Sequence, residues 1–190
     1  MSIRPPFETI CDLRTPRAHD ILRRRRYGVI EVERGRLVAV RFRPWPKLVT
    51  WFDARWLGPR RHRGGRGDRC RLYFNQPSRC PWALALVYTE SSRDCRFATF
   101  RGAVRLLDEI ARIKQVDALL CDVSNGKISD RLLRRWGWEP HAPSRLHRNY
   151  IKRIYGNHAE PLPETSPLLA AWAEGKPTMT RLVNSPIWNC

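Results

Sequence analysis

The stretch Asp117-Ala-Leu-Leu-Cys-Asp-Val-Ser-Asn125, followed by Ile128-Ser-Asp-Arg-Leu-Leu-Arg-Arg-Trp-Gly-Trp138, decides the fold. Its first part is a short apolar run, as in a strand buried on both faces. Its second part turns Leu132 and Leu133 inward and Arg131, Arg134 and Arg135 outward, so Ile128–Trp136 is expected to be a helix. Gly137 suits its end, because glycine takes the left-handed backbone that closes a helix. Upstream, Trp82-Ala-Leu-Ala-Leu-Val-Tyr-Thr89 is another buried-strand run. Between the two runs, positions 103, 104, 106, 107, 110, 111 and 113 are apolar, and this spacing predicts a helix over Phe100–Lys114. Downstream, His147–Tyr155 alternates as a half-buried strand does. The region from Ala83 to Gly156 therefore reads strand, helix, strand, helix, strand.

Before it, Tyr27–Glu33 and Arg36–Phe42 are rich in β-branched residues, and Arg34-Gly35 marks the turn between them. Pro44 and Pro46 end this hairpin. A helix is expected over Pro16–Arg26. Leu48–Leu57 is apolar and aromatic, a short helix or an irregular plug. Gly58–Arg71 is a loop dense in arginine and glycine, and Arg71–Phe74 is a strand. The chain divides into a basic N-terminal extension or helix (1–26), one α/β domain (27–156) and a proline-rich tail (157–190). Within the tail, Leu168–Glu174 is expected to form a short helix.

The net charge is +18, and the positive charge is almost all arginine. Such an excess attracts polyanions. No apolar run approaches the roughly 18 residues of a membrane span, and the N-terminus lacks the apolar stretch of a secretory signal. A soluble, cytoplasmic protein is expected, with no membrane partner. The six cysteines are scattered without a Cys-x-x-Cys pair, and no spacing of His, Cys and acidic residues matches a metal motif. In a cytosol all six would be reduced.

A β-hairpin meander leading into strand–helix–strand–helix–strand, ending in Gly137-Trp138, resembles the GNAT N-acyltransferases over roughly residues 27–156. The resemblance implies a mixed, mostly antiparallel central sheet flanked by helices on both faces, and acetyl-CoA or another acyl-CoA as cofactor. It also implies an amine acceptor, small-molecule or macromolecular. In that family the central strand splays from its neighbour, the pantetheine lies along the strand edge, and the pyrophosphate sits on amides at the start of the next helix. The strand edge here is Val87 and Tyr88. The family loop, Gln/Arg-x-x-Gly-x-Gly/Ala, maps onto Ala98-Thr-Phe-Arg101-Gly102-Ala103, with Arg101 where a glycine belongs. An earlier register, Arg93-Asp-Cys-Arg96-Phe-Ala98, keeps the first arginine. Asn125 stands near the family's asparagine, and Leu133 stands where the family has a tyrosine that protonates the departing thiolate.

Glu90, at the end of its strand, is the first candidate for the general base, and Asp122 the second. Tyr150, Tyr155 or Cys121 would have to replace the missing tyrosine; Tyr150 is the choice carried forward. The alternative function is a GNAT-like module without acetyl transfer that binds nucleic acid or ribonucleoprotein, or one that modifies nucleic acid. Arg60, Arg61, Arg63 and Arg66 of the basic loop would then hold phosphates.

Overall fold

The computed structural model describes residues 7–47, 67–123, 128–142 and 148–171. In chain order these form β1 (Thr9–Ile10), α1 (Pro16–Arg24), β2 (Tyr27–Glu33), β3 (Arg36–Phe42), β4 (Arg69–Asn75) and β5 (Ala83–Ser91). Then come α2 (Phe97–Lys114), β6 (Ala118–Asp122), α3 (Asp130–Arg135), β7 (Glu139–Pro140) and β8 (Asn149–Arg153). The fold is α/β, one mixed sheet in the order β1-β3-β2-β4-β5-β6-β8-β7. Among the described strands only β5 and β6 run parallel. Every other neighbouring pair is antiparallel. A parallel pair needs a crossover, and α2 supplies it.

Local chemistry explains the short connections. Arg34 and Gly35 both have positive φ, 50° and 72°. That is the two-residue hairpin turn whose twist matches the flanking strands. Thr15 caps α1, its hydroxyl accepting from the Ala18 amide at 3.2 Å, and Pro16 occupies the first helical position. Gly137, at φ 81°, follows α3, and the Gly137 and Trp138 amides donate back to Arg134 and Leu133.

The sheet order departs from a meander. β4 pairs with β2, Tyr73 opposite Val29, not with β3. The outer edge of β3 is already taken by β1, Ile10 opposite Val40. The edge left for the returning chain is therefore that of β2.

All three described helices lie on one face, so the expectation of helices on both faces is not met among the described residues. Alternation along the strands sends Ile30, Val32, Leu72, Phe74, Leu84 and Leu119 into one cluster with Leu22, Leu106, Leu107 and Leu133 of the helices. Phe42 and Phe74 meet edge to face within it, with ring centroids 6.4 Å apart. The two chain ends join the same core. Ile10, Leu13, Leu162, Leu168 and Leu169 are buried in it, and the Leu13 amide donates to the Leu169 carbonyl at 2.6 Å.

Element ends shift by a few residues from the sequence reading. α2 starts three residues earlier than expected, at Phe97, and α1 stops at Arg24. In place of a helix from Leu168, residues 168–169 form a turn and Ala170 bridges to Asp12. Leu48–Leu57, and Gly58–Arg66 of the basic loop, lie outside the described residues. Among the described residues no helix is long and apolar enough to cross a membrane.

Candidate active site

Glu90, Asp122 and Tyr150 lie on β5, β6 and β8, the three strands that meet around the end of the β5–β6 ladder. The parallel ladder runs from Ala83↔Ala118 to Leu86↔Cys121 and stops, whereas β5 continues to Ser91. At the same level β5 carries a bulge against β4. Tyr73 faces Tyr88, and the next pair is Phe74 with Leu86, so Val87 is the extra residue. A bulge bends its strand and re-aims the side chains beyond it. Val87 and Tyr88, read from sequence as the cofactor edge, are thus the two residues at which β5 turns away.

Leu86, Cys121 and Tyr150 form one row across β5, β6 and β8 at the mouth of this opening. Tyr150 packs its ring into the helix-side core, and its hydroxyl donates to Asp130 Oδ1 at 2.6 Å. Arg148 Nη2 lies 3.2 Å from the same hydroxyl and also pairs with Asp130. Burial, then the Asp130 carboxylate, raises the Tyr150 phenol above its ordinary value. Burial and the neighbouring Asp122 push the Cys121 thiol up to about 12. Asp122 ends β6, opposite Asn149.

Glu90 lies in the ladder opposite Arg71, on the sheet face away from the helices, and accepts from the Tyr73 hydroxyl at 3.4 Å. Tyr73 and Tyr88 pack at a centroid distance of 5.8 Å. The Lys47 ammonium lies 5.6 Å from one ring and 5.8 Å from the other. Desolvation, then Glu90, raises the Tyr73 phenol.

The helix after β5 begins in an unusual way. Arg96 is the N-cap residue of α2 and makes no side-chain cap bond. Asp68, 28 residues earlier, supplies the cap. Its carboxylate accepts from the Arg96 amide at 2.8 Å and from the buried Thr99 hydroxyl at 2.7 Å. Thr99 and Phe100 donate to the Arg96 carbonyl at 3.1 Å each. The Phe97 and Ala98 amides therefore remain as the two helix-start donors aimed outward. Replacing Asp68 by alanine removes both acceptors and is expected to cost about 1–2 kcal/mol, as loss of an N-cap does. The urea midpoint measures it, and an unchanged midpoint would show that Asp68 does not hold the helix start.

This helix start settles where the sequence-derived loop residues lie. Arg93 and Arg96 precede α2 and are exposed. Arg101, Gly102 and Ala103 lie in its second turn, where amides bond within the helix. Gly102 is buried against Leu168, whose nearest methyl would sit 3.2 Å from an added Cβ, and Ala103 is buried too. The register ending at Ala98, not the one ending at Ala103, thus coincides with the helix start. The helix begins earlier because Asp68, just before the neighbouring strand β4, caps it, a contact no local motif reveals. Asn125, Arg60, Arg61, Arg63 and Arg66 lie outside the described residues.

Besides Asp68, sequence reasoning passed over Tyr73 and Lys47. Only the strand alternation that puts Tyr73 on the face of Glu90 could have singled out the former. Comparison of the chain with protein-family models, with curated proteins and with solved structures finds no match.

Proposed function

We propose that the protein is an acyl-CoA-dependent N-acyltransferase on a GNAT-like sheet, its acceptor an amine. The observation that carries this reading is the opening between β5 and β6 beyond Leu86↔Cys121, with the start of α2 directly after the strand that forms it. An extended ligand can lie in such an opening, with its phosphates on the leftover amides of Phe97 and Ala98. Arg93 and Arg96 would add charge there, while the Asp68 carboxylate limits how much anion the helix start accepts.

Bound acyl-CoA would supply an activated acyl thioester. Glu90 stands on the face away from the helices, where an amine can approach, and would take the amine proton. Tyr150 stands on the helix side of the same opening. Its raised phenol keeps the proton at neutral pH, hydrogen-bonded to Asp130, and would release it towards the departing sulfur. Burial pushes the Cys121 thiol up to about 12, so this reading gives it no covalent step. Direct transfer to the amine follows. The resemblance to GNAT enzymes supports the reaction type, although a fold by itself does not determine a reaction.

Thermal unfolding with acetyl-CoA is the test. A ligand at about 100 times its Kd stabilises the native state by about 2.7 kcal/mol. A rise in Tm that saturates with acetyl-CoA is expected. No shift at millimolar ligand overturns the reading.

A further inference from the structure

We propose that the ridge of Phe97, Trp136 and their neighbouring arginines is a binding surface for single-stranded nucleic acid. The ridge adjoins the helix start used in the acyltransferase reading and shares Arg96 with it, but it rests on a separate observation, the stacked Phe97 and Trp136 rings. Phe97 opens α2 with 56% of its surface exposed. It is no isolated surface aromatic: its ring stacks on Trp136, with centroids 5.9 Å apart and planes 27° apart. Trp136 in turn packs on Phe100 at 5.8 Å, and both lie against the core. Three rings thus run outward from the core. One face of Phe97 is held by Trp136, which leaves an orientated, pre-set ring presented to solvent.

The charge around this ring is positive and uncommitted. Arg101 lies four residues after Phe97 on α2, hence on the same helix face. Arg96 immediately precedes Phe97, and Arg135 immediately precedes Trp136. All three are exposed, and among the described residues none makes an ion pair. Elsewhere arginines do find acids: Arg25 pairs with Glu8 at 2.6 Å, and Arg112 with Glu109 at 2.5 Å. Two acids close to the start of α2 are engaged by backbone and hydroxyl donors. Asp68 takes the Arg96 amide and the Thr99 hydroxyl, and Asp94 takes the Gly67 amide.

A fixed aromatic face beside unpaired guanidiniums matches a ligand that offers flat rings and phosphates together. A single strand presents its base faces, whereas a duplex keeps them stacked inside. The ridge should therefore discriminate between them, which a merely basic surface does not.

Fluorescence anisotropy with a labelled single-stranded RNA of roughly 12 nucleotides, and with its duplex, tests this. The whole chain is expected to bind the single strand more tightly than the duplex. Phe97→Ala should weaken single-strand binding roughly tenfold, the loss of one base stack, and leave duplex binding unchanged. Phe97→Trp should restore it. Arg101→Gln should lower the slope of log K against log salt by about one. Phe97 is solvent-facing, and an unaltered Tm would verify that the variants fold. The proposal fails if Phe97→Ala binds the single strand as the natural chain does, if the duplex binds equally well, or if neither binds at low salt. It also fails if acetyl-CoA displaces the RNA and Phe97→Ala weakens both ligands alike, for then the ridge serves the nucleotide end of the cofactor.

Discussion

Replacing Gly28 with alanine is expected to destabilise the protein by roughly 2–3 kcal/mol, the cost of overfilling a packed core. A Cβ on Gly28 would stand 2.6 Å from Phe74 Cζ, 2.9 Å from its Cε1 and 3.2 Å from the Arg41 carbonyl oxygen. The Phe74 ring has no room to retreat, since it is fully buried and packs edge to face with Phe42. The Arg41 carbonyl is held by the β2–β3 ladder. Alanine restricts the unfolded chain more than glycine does, which returns at most about 1 kcal/mol. The urea midpoint should fall without a change in slope. Shrinking the ring separates the contact from other causes. Phe74→Leu alone should destabilise, but Gly28→Ala should cost little when added to it, a coupling of about 1–2 kcal/mol. Additive costs in the double variant would mean that the ring does not lie over Gly28.

The second large effect concerns Lys114, the last residue of α2. Its ammonium is buried and donates to the Leu22 carbonyl at 2.5 Å and the Arg25 carbonyl at 2.8 Å, joining the end of α1 to the end of α2. Desolvation, and then the charge of Arg26, lowers its value from 10.5 to about 8. A base whose folded value is depressed weakens the fold while it is charged. Below pH 8 both folded and unfolded chains hold the proton, and the cost is present in full. Between about 8 and 10.5 the unfolded chain holds the proton and the folded chain does not, so stability rises with pH. The drop corresponds to about 3 kcal/mol at most.

Buried thiols act in the opposite sense at higher pH. Cys70 and Cys121 are raised, so above about pH 9 the unfolded chain loses those protons first and stability declines. Comparison with Lys114→Met cancels that contribution. The natural chain should gain up to about 3 kcal/mol relative to the variant between pH 7 and pH 10, read from urea midpoints. A constant difference across that range would show that Lys114 stays protonated in the fold.

Much of the architecture was legible because its signals are local. Arg34-Gly35 set the hairpin, Pro16 marked the start of α1, and Gly137 marked the end of α3. The apolar runs around Leu84 and Leu119 gave two central strands, and the spacing from Ala103 to Ile113 gave the long helix between them. For the candidate site, the sequence offered Glu90, Asp122 and Tyr150 as residue types at strand positions. Which of them lie near one another depends on which strands are neighbours, and sequence spacing does not carry that.

Two misplacements show the boundary. Gly102 and Ala103 looked like a phosphate loop because a glycine and a small residue stood before an apolar helix. They lie inside α2 because Asp68 caps the helix at Arg96 from 28 residues away. The hairpin looked like the start of a meander because consecutive strands usually pair. It is not one, because the two-residue β1 occupies the free edge of β3.

The sequence by itself thus determined the order and type of the main elements, since backbone preference and hydrophobic period act over a few residues. Only the tertiary structure decided that the three described helices share one face, the β3-β2-β4 order and the bulge at Val87. It alone brought Tyr150 to the row where β5 and β6 part, and Phe97 onto Trp136. Each of these depends on which distant surfaces exclude water from one another, and that competition is resolved only when the whole sheet assembles.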